Sequence, residues 1–259
     1  MNFNFFRFAK LIITGFVGVT FASLPNGACA QESAVVTLYT EEFRPYNFTD
    51  ENGKIRGTAT AIVKRIMEET KLPYKIRSLH WTRTVREAGL DKRGLIFSLF
   101  RSEERESKFH WLAAVARPDF RLFARTDDMR TVTTALIKAG TFSAVCVIAT
   151  ASCHMLRKAG FPEEKLFKIA QGVGVSTTGL LEYGRVDFYS ADLKAHRFRK
   201  GEAGFTEGAS KPVLRIGSDI VFYLAAGRHV DKTLIAKIRS ATATLKAAGE
   251  LSPDLLPGK

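Results

Sequence analysis

From residue 34 onward the chain alternates apolar runs of period two with runs whose apolar residues recur three and four apart. That alternation confines it to an α/β fold. Residues 34–39 read as a strand, and the Asn-Gly pair of Glu51-Asn52-Gly53-Lys54 favours a tight turn before a second short extended piece. Ala59, Ile62, Val63, Ile66 and Met67 then mark one face of a helix that ends near Lys71, before Pro73. Residues 74–79 return to a strand pattern, 81–88 to a helical one, and 95–100 form a short apolar strand. A second unit of the same kind follows: helix 131–138, strand 142–148, helix 152–159, strand 166–169, helix 175–183 and strand 187–190. Between Lys200 and Lys211 a Gly-rich run has no clean period and reads as a loop. A strand at 221–225 and a helix from Asp231, an N-cap residue, to Ala248 before Gly249 complete the pattern. A length of 259 residues accommodates two such lobes.

The first thirty residues belong to neither lobe. Arg7 and Lys10 precede an uncharged stretch from Leu11 to Gln31, whose apolar part breaks at Pro25-Asn26-Gly27 and reaches the small residues Ala28-Cys29-Ala30. This is the layout of a cleavable signal peptide, residues 1–30, and it predicts export to the periplasm. Pro25 and Gly27 end the apolar run too early for a membrane anchor, and a lipoprotein would need an aliphatic residue where Asn26 stands. The excess of 39 Lys and Arg over 26 Asp and Glu, +13 net, would otherwise raise nucleic acid as a partner. An exported protein meets no genomic DNA, so no nucleic-acid partner is expected and the basic exterior reads as a solvated surface. Export also permits a disulfide between Cys146 and Cys153. Because Cys146 sits in an apolar strand-like run and Cys153 at a helix head, the expectation is instead two buried free thiols.

No catalytic constellation stands out. His80, His110, His154, His196 and His229 lack metal-ligand spacing. The adjacent Cys153 and His154 cannot easily point at one ion, and Gly172-Val173-Gly174 lacks the third glycine of a dinucleotide loop. No metal and no cofactor is therefore expected. What does stand out is a distributed set. Phe43-Arg44-Pro45-Tyr46-Asn47-Phe48 follows the first strand directly, where an open α/β sheet places its ligands. Trp81 opens a helix, Ser98 lies in an apolar strand, and Arg101 and Arg105 follow it. From composition alone the aromatics would be core and the arginines surface ion pairs. Their order along the chain changes that weighting.

In that order the chain resembles the family 3 bacterial extracellular solute-binding proteins, over nearly all of residues 34–250. The segments similar to the family pattern are Phe43-Arg44-Pro45-Tyr46, the turn Asp50-Glu51-Asn52-Gly53 and the helix led by Gly57. Trp81, Ser102-Glu103-Glu104-Arg105 with Phe109, Gly184-Arg185-Val186-Asp187 and the closing helix to Gly249 continue it. The resemblance implies a two-lobed clamp of the periplasmic-binding-protein type II. Lobe 1 would be discontinuous, residues 34–116 and 216–259, lobe 2 would be residues 117–215, and two crossing strands would form the hinge that closes on a solute. It further implies that Arg105 holds a solute carboxylate, that Phe43 and Trp81 wall the solute side chain beside Tyr46, and that Ser98 donates to it. Thr150 and Ser152 would stand at a helix start whose N–H groups face the carboxylate, and Asp192 would take an α-ammonium.

The function so implied is a monomeric periplasmic receptor without chemistry of its own, which delivers a small polar or amino-acid-like carboxylate to the membrane permease of an ABC importer. Two competing expectations use the same fold. One is a periplasmic enzyme of the cyclohexadienyl dehydratase kind, for which Asp192, Glu41 and Glu42 are the available acids. The other is a receptor for a membrane sensor. Several positions depart from the family pattern: Ala149-Thr150 replaces a Gly-led pair, an acid is replaced near Ala61, Asp91-Lys92-Arg93-Gly94 lacks an Asp in place, and Phe100 and Arg101 add bulk and charge near Arg105. Together they point to a solute more anionic or more aromatic than a standard amino acid.

Overall fold

In a computed structural model of the chain, Met1 and residues 35–171, 175–200 and 204–251 are described. The signal-peptide segment and Gly172-Val173-Gly174 lie outside the described residues. The first sheet begins with β1 (Val36–Thr40), all five residues of which are buried. A small hairpin, β2 (Phe48–Thr49) and β3 (Ile55–Arg56), leads into α1 (Thr58–Thr70), β4 (Tyr74–Ser78), α2 (Trp81–Leu90), β5 (Gly94–Phe100), the single turn α3 (Glu103–Glu106) and β6 (Phe109–Ala116). The second sheet is built from β7 (Phe120–Arg125), α4 (Thr134–Lys138), β8 (Ala144–Val147), α5 (Ala151–Ala159), β9 (Leu166–Ile169), α6 (Thr177–Glu182), β10 (Phe188–Asp192), α7 (Leu193–His196) and β11 (Ser210–Arg215). The chain then returns to the first sheet with β12 (Phe222–Gly227) and α8 (Lys232–Ala247).

The strand orders are β4-β1-β5-β12-β6 and β11-β7-β10-β8-β9. Each sheet is parallel on one side, with β1 between β4 and β5 and with β8 between β9 and β10. Each is antiparallel on the other, through β12 and through β7. The fold is therefore a two-lobed α/β clamp, and the chain crosses between sheets twice, after β6 and before β12. The crossings run side by side, since Ile216 N–H donates to Phe120 O at 2.8 Å. Phe120, Ile216, Ile220 and Phe222 continue one buried apolar cluster through the crossing. Each such side chain, fully buried, contributes about 1.5–3 kcal/mol.

The helices form where their apolar faces meet these sheets. The α1 stripe Ala59, Ile62, Val63, Ile66 and Met67 is buried as its spacing predicts, in one cluster with Val36, Leu38 and Leu95. Helix α1 has no side-chain N-cap. Its first N–H groups, from Thr58, Ala59 and Thr60, donate instead to Pro45 O and Tyr46 O. Only glycine permits this approach, because Gly57 has φ 121° and a Cβ there would lie 2.2 Å from Tyr46 O. The loop after β1 is thereby welded to α1.

The expected helix at 131–138 starts at Thr134, because the Thr133 side chain accepts the Leu136 N–H. Likewise the helix expected at 175–183 starts at Thr177, capped by Ser176 on the Gly179 N–H. The strand expected at 187–190 runs on to Asp192. Ser210, the end of the run expected as loop, begins β11, a half-buried edge strand whose Lys211 and Pro212 disguise it. Strands β6 and β7 are additions to the expected pattern, and Arg117-Pro118-Asp119 breaks the apolar run between them at the crossing.

The expectation of free thiols is corrected: Cys146 and Cys153 form a disulfide, with their Cα atoms 4.9 Å apart. Both are buried as expected. What the spacing did not reveal is the turn between them, in which Ala149 adopts φ 64° and brings the first turn of α5 back over the end of β8. The bond closes a loop with a sequence separation of 7. Replacing both cysteines by alanine should lower the unfolding free energy in urea by about 2 kcal/mol, the loss expected for so short a loop. Iodoacetamide should add no mass at either position until a reductant is present.

Candidate functional site: a cleft between the two sheets

The carboxyl ends of β1 and β5 on one side, and of β8, β9 and β10 on the other, line one cavity of about 720 Å³. Open α/β sheets offer their ligand sites at such ends. On the first side the loop after β1 is held from within. Phe43 and Asn47 pair as an isolated bridge. The Phe43 ring stacks on Tyr46 at 5.1 Å and tilts against Phe222 at 5.7 Å. Asn47, fully buried, donates through Nδ2 to Glu41 O and accepts the Ser98 hydroxyl on Oδ1. Ser98 reaches it because the β5–β12 ladder is irregular at this point and Ser98 sits at φ 59°, the re-aiming effect of a β-bulge.

On the second side the β8–α5 turn is tied three ways. Thr150 Oγ1 donates to Val147 O at 2.8 Å and accepts the Ser152 N–H at 3.2 Å, while Ser152 Oγ accepts the Val147 N–H at 2.9 Å. The disulfide closes the same turn from behind.

Side chains from the two faces meet across the gap. Ala149 O accepts from Trp81 Nε1 at 2.8 Å and from Arg105 Nη2 at 2.9 Å. Arg105 also gives Nη1 to Phe100 O at 3.1 Å, and its guanidinium lies 5.4 Å from the centre of the Trp81 ring. Two of its five N–H donors are thus engaged. Tyr46 donates its hydroxyl to Asp192 Oδ2 at 3.1 Å. The same oxygen takes the Asp119 N–H at 2.7 Å, and Oδ1 takes the Ala195 N–H at 2.8 Å. Gln171, just past β9, accepts the Trp81 N–H at 3.2 Å and donates to Glu41 Oε2 at 3.1 Å.

Enclosure sets the electrostatics. Burial pushes the Glu41 carboxyl up to about 7, against the opposing pull of Gln171 and Arg105. Burial raises Asp192 as well, although three N–H groups and Tyr46 favour its charged form, and it raises Tyr46 beside it. It lowers Arg105 and brings the His196 imidazole down to about 4. Glu42, despite the burial working against it, is held below the usual carboxylate range by Thr49 and Ser78.

Of the residues singled out in the sequence, Arg105, Trp81, Phe43, Ser98, Asp192, Thr150 and Ser152 line the cavity. Tyr46 is buried behind it and reaches in through Asp192. Ser98 and Asp192 direct their polar atoms largely at protein partners. The Gly184-Arg185-Val186-Asp187 motif lies away from the cavity and is architectural: Gly184, at φ 66°, ends α6, and Asp187 holds Ser143 and Arg130. Sequence reasoning missed Gln171, Asn47, the Ala149 carbonyl and Ser190, whose buried hydroxyl has no partner among the described residues. Gln171 was findable, since it follows the end of a strand read correctly. Among the described residues no cluster of His, Cys, Asp and Glu could hold a metal ion, and no helix is long and apolar enough to cross a membrane.

The family model described as "Bacterial extracellular solute-binding proteins, family 3" matches residues 35–253. A search of curated proteins finds no match. Among solved structures, a histidine kinase sensor domain with similarity to periplasmic binding proteins superposes with TM-score 0.69 at 17% identity, covering 85% of this chain and 93% of its own. An ancestral arginine-binding protein bound to arginine gives TM-score 0.66 at 20% identity, with 83% and 94% covered. A putative L-cystine ABC transporter protein from Listeria monocytogenes gives 0.62 at 20%, with 83% and 91% covered. At such identities the likeness is one of fold.

Burial of the Glu41 carboxyl couples stability to pH. Between the ordinary value of 4.5 and about 7 the native chain keeps a proton that the unfolded chain has released. Glu41 therefore lowers stability as pH rises through that interval and adds nothing further above it. Glu41→Gln should melt increasingly above the wild type from about pH 4.5 to about 7 and hold a constant difference beyond, as measured by calorimetry in a buffer series.

Proposed function

The chain belongs to the bacterial extracellular solute-binding proteins, family 3, and from that premise we propose that it is a periplasmic receptor for a small carboxylate solute. In this reading residues 1–30 export it, residues 34–116 with 216–259 act as one lobe and 117–215 as the other, and the monomer delivers its solute to the permease of an ABC importer. The observation that carries the reading is Arg105. It stands at the mouth between the lobes, stacked beside Trp81, and three of its N–H donors have no acceptor among the described residues. A planar fork of that kind suits a carboxylate.

Around it, Phe43 and Trp81 supply the apolar walls, and Phe100, Phe120 and Phe222 extend them. That aromatic lining supports a solute with a larger apolar body than most amino acids have. Thr150 and Ser152 shape the turn that faces the carboxylate. Ser98, Asp192 and Tyr46 act chiefly by setting the geometry of the cleft, since Tyr46 already donates to Asp192, Asp192 accepts the Asp119 N–H, and Ser98 donates to Asn47.

A second reading is an enzyme on the same fold, and Glu41 is the observation that favours it. An enclosed carboxyl titrating at about 7 is suited to general acid work. Turnover of a cyclohexadienyl acid by the wild type, and not by Glu41→Gln, would establish that reading in place of the receptor.

The receptor reading is tested by thermal shift of residues 31–259 against amino acids, opines, dicarboxylates, aromatic acids and short peptides. A true solute should raise the melting temperature progressively with the logarithm of its concentration, by about 2.7 kcal/mol of stabilisation at a hundredfold excess over its dissociation constant. Arg105→Ala should abolish the shift. Absence of any shift with carboxylates would overturn the assignment of Arg105.

A further inference from the structure

The Gln171 side chain spans the cleft and serves two groups at once. Its first contact fills a gap in α2. The first N–H groups of a helix have no partner within it, and His80, at the N-cap, offers no side-chain bond. Gln171 Oε1 takes the Trp81 N–H instead, at 3.2 Å, so the cap comes from the opposite sheet.

Its second contact follows from the first. A backbone N–H can only donate, so Oε1 must face Trp81 and the NH₂ group must face Glu41. There Nε2 donates to Glu41 Oε2 at 3.1 Å. A carboxyl oxygen that accepts this N–H leaves the proton, when the group carries one, to Oε1. That atom takes no hydrogen bond from the described residues, and Glu41 lines the cavity. The Glu41 main chain is fixed as well, by Asn47 Nδ2 on its carbonyl. Backbone and one carboxyl oxygen are anchored, and the other oxygen is left for the cleft.

We infer that Gln171 is a positioning residue of the solute site: it aims Oε1 of Glu41, with or without its proton, at the solute, and holds Trp81 in the same frame. The inference rests on the solute-binding reading of the cleft. A solute then meets an O–H donor suited to its carbonyl or carboxylate when the proton is present, and an acceptor for an ammonium or guanidinium when it is absent. Binding of either kind is coupled to one proton. The other charged or titratable groups lining the cleft are Glu42 and Arg44 on the same loop, Arg105 from α3, and Asp192, His196 and Arg199 from the second sheet's side. Of these, Arg105 acts on Glu41 by its charge.

The experiment needs no solute. The chain has 2 tryptophans, so a Trp111→Phe background makes the fluorescence report on Trp81, whose main chain Gln171 holds, and His80→Asn in the same background removes the imidazole directly before it. Titrated across neutrality, that signal should show one transition near pH 7, and Glu41→Gln should remove it. Gln171→Glu keeps an acceptor for the Trp81 N–H but sets a second carboxyl against Glu41. Two acids sharing a site raise one titration strongly, so the midpoint should move up by about one unit or more. Gln171→Met keeps the length and loses the N–H that lowers the Glu41 value, so its midpoint should also rise, by less. Equal midpoints in the wild type, Gln171→Glu and Gln171→Met would overturn the inference, as would persistence of the transition in Glu41→Gln. Failure of the receptor reading is seen separately, in the Arg105→Ala thermal shift.

Discussion

The Ala149 carbonyl is the point on which the two sides of this protein agree. Ala149 is one of three non-glycine residues with positive φ among the described residues, a conformation that costs about 1–2 kcal/mol for an L side chain. The cost is offset where the carbonyl turns into the cleft and meets the indole N–H of Trp81 and the guanidinium of Arg105 together. One acceptor thus fixes an aromatic wall and a cation relative to the opposite lobe. Thr150, Ser152 and the disulfide all hold the turn that presents it. Remove the turn and the remaining trans-cleft pairs, Tyr46 with Asp192 and Gln171 with Trp81, would have no common register.

How far the sequence was legible follows from the range of each determining interaction. Elements fixed by their own periodicity, such as α1 with its five buried apolar residues and β5 with its continuous apolar run, were read almost to the residue. Asp231 capping α8 on the Leu234 N–H was equally local. Elements fixed by a distant partner were not. Strand β11 is an edge strand that carries Lys211, Pro212 and Arg215, and only its pairing with β7 makes it a strand. The Cys146–Cys153 bond depends on a left-handed residue between them, which an alanine does not advertise.

The site shows the same division. Phe43, Trp81 and Arg105, singled out by their order along the chain and its resemblance to the family pattern, line one cavity. Their partners were hidden. Asn47 acts by joining Ser98 to Glu41, 51 residues and 6 residues away along the chain, and Gln171 acts 130 residues from Glu41. Amide side chains have no periodic signature: a place just past a strand end points to the cleft, but only the folded geometry shows the two groups that Gln171 serves. The Gly184-Arg185-Val186-Asp187 motif illustrates the converse, a legible signature whose work is to end a helix and pin Ser143.

The disulfide also gives the cleft a history. A bond between β8 and the first turn of α5 forms only where an oxidant is at hand, and the residues it encloses are the ones that present the Ala149 carbonyl, Thr150 and Ser152. In a reducing environment the same turn would be held by hydrogen bonds and apolar packing without the covalent link. Oxidation would then be a maturation step, completing the turn that presents the Ala149 carbonyl only where an oxidant is at hand.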